Sequence, residues 1–200
     1  MFVREKVIKA ILDSGENFMS GEQLSKKLGI SRTAVWKHIN ALREEGYNIE
    51  SVNKKGYRLA EKPDDILSSE NIAYNLPTEF IGKKVIHLDT VGSTNDYAKE
   101  IGNKVSGGTL IISEQQTKGK GRLGRVWKSK SGDGIWMSLI IKPKIEPYKA
   151  PFLTLVAGAS VVKALSNLGV EVSIKWPNDI IVHNKKICGI LTELSAEMER

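Results

Sequence analysis

The sequence contains a single cysteine and no long apolar run, and each absence excludes a class of protein. Because Cys188 has no second cysteine to pair with, no internal disulfide can form, and a reducing compartment is indicated. Charged residues interrupt positions 1–6, so the apolar core of a secretory signal peptide is missing. No uncharged apolar stretch approaches the length that spans a bilayer. We therefore predict a soluble, cytoplasmic protein without a membrane partner.

Positive charge is concentrated near the N-terminus. The net charge is +7, and residues 1–60 hold 11 Lys and Arg against 7 Asp and Glu, whereas residues 61–200 hold 19 against 16. Such an excess favours a polyanionic partner for the first sixty residues, although a solvated basic face would give the same count. The length of 200 residues predicts one or two globular domains.

Residues 1–60 have the pattern of three short helices followed by a hairpin. Apolar residues recur at helical spacing up to Gly15, Ser20 and Gln23 form a capping box for a second helix, and Ser31 is placed as the N-cap of a third. The turn chemistry of residues 53–56 then separates two strand-like segments. Core positions are predicted as follows: Val7, Ile11, Leu24, Leu28, Val35, Ile39, Leu42 and Leu59.

This order resembles the winged helix-turn-helix of bacterial transcription regulators, in which the third helix enters the major groove of DNA. Polar and cationic residues lie at the start of the third helix and at the hairpin tip, where we predict DNA contacts from Ser31, Arg32, Thr33, Lys37, Lys54 and Lys55. A three-helix protein-interaction module with an incidental basic face is the alternative. Trp36 is expected to pack against the wing rather than contact bases.

A proline and four charged residues between Glu61 and Asp65 break the pattern, and we predict a linker at 61–66 before a second domain at 67–200. Strand-like and helix-like segments alternate after it, which indicates an α+β fold with a mixed or antiparallel sheet covered by helices on one side. The longest helix, 151–168, is predicted to pack onto the sheet through a face that includes Phe152, Leu155 and Val156, with Gly158 allowing a close approach.

A basic, glycine-rich loop at 118–130 contains six cations and no acid. Residues 119–124 fit G-x-G-x-x-G, but no helical stripe follows for a dinucleotide fold, the other kinase motifs are missing, and the P-loop ending Gly-Lys-Ser/Thr does not occur. The charges suit a nucleoside triphosphate, although a solvated basic turn or a nucleic-acid patch would look similar. Because like charges repel, we predict a loop that becomes ordered only with a ligand.

Six segments together resemble the motifs of biotin protein ligases, in the order and approximate spacing of that family. The segments are Ser-Thr-Asn at 93–95, Gln116, the glycine loop at 119–125, Trp127, Lys-Trp-Pro-Asn-Asp at 175–179 and Lys-Ile-Cys-Gly-Ile-Leu at 186–191. With the winged helix in front, the chain is similar to the bacterial bifunctional family that joins a biotin ligase to a biotin operon repressor. The resemblance implies a catalytic fold like that of class II aminoacyl-tRNA synthetases.

The resemblance also implies an activity and a set of site residues. Family members form biotinyl-5′-AMP from biotin and ATP, with Mg²⁺ arriving on ATP, and transfer biotin to a lysine of a carboxylase carrier protein. The catalytic residues would be Lys186 and Arg122. Biotin would contact Ser93, Thr94, Asn95, Gln116, Lys120, Gly121, Arg122, Asp179 and Lys186. The adenylate would contact Gly119, Arg125, Trp127, Lys175 and Asn178.

Several of these residues also have purely structural explanations. Ser93 and Thr94 would serve as a helix N-cap, Asn178 and Asp179 as a turn, and Lys175 as an exposed strand residue. The isolated His87 and His183 predict no protein metal site. The implied partners are operator DNA, a biotin carboxyl carrier protein and, with adenylate bound, a second copy of the chain.

Two departures from the family pattern affect these expectations. Lys120 stands where the family often has arginine, which keeps the charge but loses the bidentate geometry. The family's central sheet and a small C-terminal β-barrel continue beyond the last motif, so we expect a fragment with poor ligase activity. A regulator that senses a small molecule without ligase activity is the alternative, and a lipoyl-group transferase is disfavoured by the basic loop.

Overall fold

The computed structural model describes residues 3–61 and 67–195, and the chain divides into two compact units, Met1–His87 and Leu88–Arg200. Apart from Glu61, the predicted linker at 61–66 lies outside the described residues. The predicted boundary between the linker and the second domain remains a prediction, and the structure groups the described residues 67–87 with the first unit.

The first unit is the predicted winged helix-turn-helix. Its elements are α1 Val3–Asp13, α2 Gly21–Leu28, α3 Arg32–Glu44, β1 Ile49–Val52, β2 Gly56–Leu59 and α4 Ser69–Asn75. Both hydrogen bonds of the Ser20–Gln23 capping box are present, Gly29 ends α2 at φ 67°, and the Ser31 side chain caps α3. The helix α4 was not predicted because its seven residues carry no apolar stripe; Ser68 caps it.

The core of the first unit contains the predicted residues. Six of the eight are buried, and Leu28 and Leu59 pack against them partly exposed. The antiparallel β1–β2 hairpin is tied to α3 because the Arg43 guanidinium donates hydrogen bonds to the backbone oxygen of Ile49 at 2.7 and 2.9 Å. The wing is thereby fixed to the helix that carries the candidate DNA contacts.

The second unit has an α+β fold, as predicted. Its elements are β3 Val85–Val91, which begins just before the division, α5 Thr94–Ile101, β4 Leu110–Gln116, β5 Trp136–Leu139, α6 Ala150–Asn167, β6 Ser173–Lys175, β7 Asp179–Val182 and β8 Lys185–Gly189. The strands form two three-stranded sheets, in the orders β3-β4-β5 and β6-β7-β8. Alternating apolar residues reveal a strand but not its distant partner, so the sequence did not predict this division.

Helix α6 packs through a different face from the one predicted. Phe152 and Val156 are 62% and 60% exposed, whereas Gly158 is buried near Ile174 and Ile190. Gly158 lies on the packed side, as predicted, but a Cβ there would still sit 3.8 Å from Ile174 and Ile190, an ordinary contact distance; the choice of Phe152, Leu155 and Val156 as the packed face is wrong. Because apolar residues surround nearly the whole helix, their spacing does not select one side.

Within the described residues, the segment Pro147–Asn167 passes a test for membrane-spanning helices by length and composition. Only 6% of that window is buried, so α6 is not a mostly buried core helix in the described part of the chain, although it lies against β6 and β7. Its uncharged part, between Lys149 and Lys163, is 13 residues long. That length falls short of the ~20 residues that a transmembrane helix needs.

Candidate functional site

A buried polar network lies where α5 begins. Ser93 caps the helix, and the backbone N–H and the hydroxyl of Thr94 both donate to Gln116 Oε1, at 2.8 and 3.0 Å. The single O–H of Ser138 is shared between Thr94 Oγ1, at 2.8 Å, and Asn95 Oδ1, and Gln116 Nε2 donates to Ser129 Oγ at 2.9 Å. The network joins α5, β4 and β5 and holds the Gln116 amide in one orientation.

The groups of this network retain some hydrogen-bonding capacity. An amide nitrogen has two N–H donors, and Gln116 uses one of them on Ser129. A threonine hydroxyl has one donor and two lone pairs, and Thr94 uses the donor and one lone pair. One donor and one acceptor therefore remain beside each other for a polar ligand.

Lys186 is held between an acid and an aromatic ring. Its ammonium lies 2.7 Å from Asp179 Oδ1 and 4.8 Å from the centre of the Trp127 ring. The contact with Asp179 lacks hydrogen-bond geometry, and Asp179 Oδ1 is buried without a hydrogen-bond donor among the described residues. The ammonium still pairs with that oxygen electrostatically, and the oxygen has a further lone pair with which it can accept from a ligand. A Cβ at Gly189 would lie 3.0 Å from Lys186 Nζ, so any larger residue at this position would displace the lysine side chain.

The basic loop is closed by backbone hydrogen bonds in this structure. Trp127 N donates to Gly119 O at 2.8 Å, and Gly121 N donates to Arg125 O at 2.7 Å. At the tip, Leu123 has a φ of 57° and is 90% exposed. These hydrogen bonds define the shape of the loop, and the predicted mobility without a ligand remains a prediction.

Two cations of the loop have partners elsewhere in the unit. Lys120 Nζ lies 2.7 Å from the Asp96 carboxylate on α5, and this hydrogen bond raises the pKa of the lysine. Arg122 donates to Asn178 Oδ1 at 3.0 Å. Among the described residues, the side chains of Arg125 and Lys175 have no hydrogen bond or ion pair, so their charge is available to an anion.

Gly119 is buried at the base of the loop. A Cβ there would lie 2.4 Å from the Trp127 backbone oxygen, 2.7 Å from Ser129 Oγ and 3.3 Å from Gln116 Nε2. Only a glycine lets the loop join the Gln116 network at this point. The network and the basic loop therefore share one packed junction.

The structure brings most of the predicted ligand-contacting residues into one connected cluster, but Arg125 and Lys175 remain at its exposed margin. Sequence reasoning missed Asp96, Ser129, Ser138 and Glu193, which partner the predicted residues. Of these four, only Ser138 could have been noticed from its neighbours in the sequence, because it is a serine among the apolar residues of a strand. The others depend on contacts between residues far apart in the chain.

The candidate DNA contacts are exposed on the first unit. Arg32, Thr33 and Lys37 lie along the start of α3, and Lys54 and Lys55 lie in the hairpin turn. Lys55 also lies 5.9 Å from the centre of the Phe18 ring. Trp36 lies beside the Val35 stripe and is 54% exposed, so it is outside the core, and the expectation that it packs against the wing stays a prediction.

Comparison with known proteins identifies the family. The model of the biotin/lipoate A/B protein ligase family matches residues 88–199, which is more than half of the chain. The chain belongs to this family. A helix-turn-helix domain model matches residues 3–58. Both matches agree with the resemblance that the six motifs and the winged helix indicated.

Similar proteins include bifunctional ligase/repressors and a biotin protein ligase of known structure. The chain is 47% identical to the bifunctional ligase/repressor BirA of Bacillus spizizenii over 99% of this chain and 61% of the relative. It is 38% identical to BirA of Escherichia coli over 94% of this chain and 57% of the relative. The biotin protein ligase of Aquifex aeolicus, solved in complex with biotin and ATP, superposes with a TM-score of 0.52 at 43% identity, covering 56% of this chain and 47% of that one. The chain thus spans about three-fifths of the length of these curated relatives.

Proposed function

We propose that this chain carries the biotin-activating site of an ATP-dependent biotin–protein ligase and the operator-binding domain of a biotin-gene repressor. One observation supports the ligase most: the Thr94–Gln116 network, Lys186 and the basic loop converge in a unit of the matching family. We assign biotin and ATP as substrates, with Mg²⁺ bound to the nucleotide, and the cytoplasm as the compartment.

The free hydrogen-bonding groups fit the ureido ring of biotin, which presents one carbonyl oxygen and two N–H groups. The remaining N–H of Gln116 can donate to the carbonyl oxygen. The free lone pair of Thr94 and the buried Asp179 Oδ1 can each accept from a ring N–H. We keep Ser93 in the pocket wall, because it is 97% buried at the start of α5, where backbone N–H groups face outward.

The cations fit the first chemical step. A carboxylate oxygen of biotin attacks the α-phosphorus of ATP, the bond to the β-phosphate oxygen breaks, and pyrophosphate leaves. Two anions approach in this step, and nearby cations offset their repulsion and stabilise the charge on the phosphorus oxygens. We assign Lys186 and Arg122 to this role, with Lys120, Arg125 and Lys175 contributing positive charge around the phosphates.

Acidic or polar partners hold some of these cations. Asp179 pairs with Lys186, Asp96 with Lys120, and Asn178 with Arg122. A bound carboxylate or phosphate would replace these partners, so the cations would be placed before the ligand arrives. Trp127, next to Lys186, would stack on adenine, and Gly119, Gly121 and Asn178 would shape the loop around the adenylate.

In the second step, the amine of a carrier-protein lysine attacks the acyl carbon, AMP leaves and the amine loses a proton. We assign a biotin carboxyl carrier protein as acceptor. The exposed cations of α3 and the wing would contact operator DNA, with Ser31, which also caps α3, and Thr33 beside Arg32. We further propose that the adenylate-bound form is a homodimer.

Calorimetry with two neighbouring variants tests the biotin site. Gln116 and Gln115 are adjacent on β4, and only Gln116 belongs to the network. The wild-type chain and Gln115→Ala should bind biotin, and Gln116→Ala should bind at least about tenfold more weakly, because it loses a buried hydrogen-bond donor. Absence of biotin binding by the wild-type chain, or equal loss in both variants, would contradict the assignment.

A further inference from the structure

The side chain of Asn95 connects α5 to the segment that follows β8. Its amide nitrogen donates to the Leu191 backbone oxygen at 3.2 Å and to Glu193 Oε2 at 2.8 Å. Its amide oxygen accepts a hydrogen bond from Ser138. The other carboxylate oxygen of Glu193 lies 2.6 Å from Lys99 Nζ, one turn further along α5.

These contacts leave Asn95 little capacity for a ligand. Both N–H donors are used, and only one lone pair of the amide oxygen remains. The resemblance groups Asn95 with the biotin contacts, as a neighbour of Thr94. Its hydrogen bonds instead indicate a structural connection that has to be maintained while the ligand is bound.

Residues 190–193, called the closing segment below, are held from three directions. Ile190 exchanges hydrogen bonds with Asn178, its N–H donating at 2.9 Å and its oxygen accepting at 3.1 Å. Thr192 bonds to Thr154 of α6 at 2.7 Å. Asn95 and Lys99 provide the third attachment, through Leu191 and Glu193.

The closing segment connects the two halves of the candidate site. It directly follows the strand that carries Lys186, and Asn178 in turn accepts from Arg122. Its attachment to Asn95 lies one residue from Thr94, which belongs to the Gln116 network. The Asn95 contacts therefore fix the cationic half of the site relative to the half that we assign to the biotin ring.

We propose that Asn95 and Glu193 are positioning residues that hold the closing segment on α5, rather than ligands of biotin. This inference rests on the proposed function, because it gives these residues a role in the same site. It predicts that changing Glu193 lowers biotin affinity even though Glu193 is no contact of biotin.

The main test replaces Asn95 by aspartate, which keeps the shape and the acceptor for Ser138 but turns the donor into a second carboxylate facing Glu193. Biotin binding to the full chain should weaken about tenfold or more, because two hydrogen bonds are lost and like charges are brought together. Asn103→Asp, the same change at an exposed position near the end of α5, should bind biotin like the wild type. Adding Glu193→Gln to Asn95→Asp should recover part of the affinity, because the new amide can donate to Asp.

A second pair of variants leaves Asn95 unchanged. Glu193→Ala should weaken biotin binding several-fold, whereas Glu100→Ala, an exposed glutamate of α5, should not. A direct biotin contact by Asn95 predicts the opposite: no effect of Glu193→Ala and no recovery in the double variant. Either of those results, or wild-type affinity of Asn95→Asp, would overturn the inference.

Hydrogen exchange separates this inference from the proposed function. In the protein without biotin, the Ile190 amide, which is bonded to Asn178, should exchange faster in Asn95→Asp and Glu193→Ala than in the two control variants. Unchanged exchange would overturn the connection itself. A wild-type chain that fails to bind biotin, but whose Ile190 exchange responds as described, would contradict the proposed function and leave the connection supported.

Discussion

Replacing Gly119 by alanine should destabilise the second unit and weaken biotin binding. The added methyl group would lie 2.4 Å from a backbone oxygen of Trp127 and 2.7 Å from Ser129 Oγ, both below any normal contact distance. Because the first of these atoms belongs to the backbone, a rotamer change cannot relieve the overlap. The loop base has to move away from Gln116.

The size of the effect follows from the cost of overpacking a closed site, about 1–3 kcal/mol. For a unit the size of Leu88–Arg200 each kcal/mol lowers Tm by roughly 4 °C, so the transition of the second unit should fall by about 4–12 °C. Gly121→Ala is the matched control for Tm, though not for ligand binding: the nearest atom to its added methyl would be Arg125 O at 3.4 Å, and its φ of −108° suits any residue.

Calorimetry measures both effects on the same samples. Gly119→Ala should show a lower Tm and weaker biotin binding, and Gly121→Ala should retain the wild-type Tm within about 1–2 °C, as a substitution without a clash should. If Gly119→Ala has the Tm and the biotin affinity of the wild type, the packed junction between the loop and the Gln116 network does not exist as described.

Three further predictions concern the DNA contact, the loop and the closing segment. Arg32→Ala should weaken operator binding and reduce the salt slope by about one, and an unchanged slope would argue against a phosphate contact. Proteolysis after Arg122 or Lys128 should slow when biotin and ATP are both added; equal rates, with binding shown separately, would exclude ligand gating. Burial acts to raise the pKa of Glu193, but the hydrogen bonds from Lys99 and Asn95 outweigh it and hold that pKa below the usual 4.5. The ionised Glu193 should therefore stabilise the fold above pH ~4.5, and this stabilisation should be lost as pH falls through the lowered pKa. Glu193→Gln should abolish this pH dependence in acid unfolding measurements.

Features determined by neighbours in the chain could be predicted from the sequence. The capping box of Ser20 and the N-cap Ser31 depend on residues three positions away, and both are present. The core of the first unit followed from helical spacing, since each helix buries a narrow stripe. Helix α6, which is apolar on nearly all sides, gave no such restriction, and its packed face was predicted wrongly.

The candidate site depends on contacts that spacing does not specify. Thr94 and Gln116 are 22 residues apart, and Asn95 meets Glu193 across 98 residues. The resemblance to a family grouped most of these residues, but it did not supply Asp96, Ser129 or Glu193. The resemblance also did not show whether Asn95 contacts a ligand or makes structural hydrogen bonds. The structure indicates the second, because both N–H donors of the Asn95 amide are already used.

The most direct test of the account compares Lys186 with its neighbour Lys185. Lys186 lies beside Asp179 and Trp127, whereas Lys185 is an exposed residue at the start of β8. Pyrophosphate release and biotinyl-5′-AMP formation would be measured for the wild type, Lys186→Ala and Lys185→Ala with ATP, Mg²⁺ and biotin. We expect biotin-dependent product with the wild type and Lys185→Ala, and a loss of about 100-fold or more with Lys186→Ala, the scale of removing one stabilising group from a developing charge. Product formation by Lys186→Ala within a few-fold of the wild type, or biotin binding without any adenylate, would contradict this expectation.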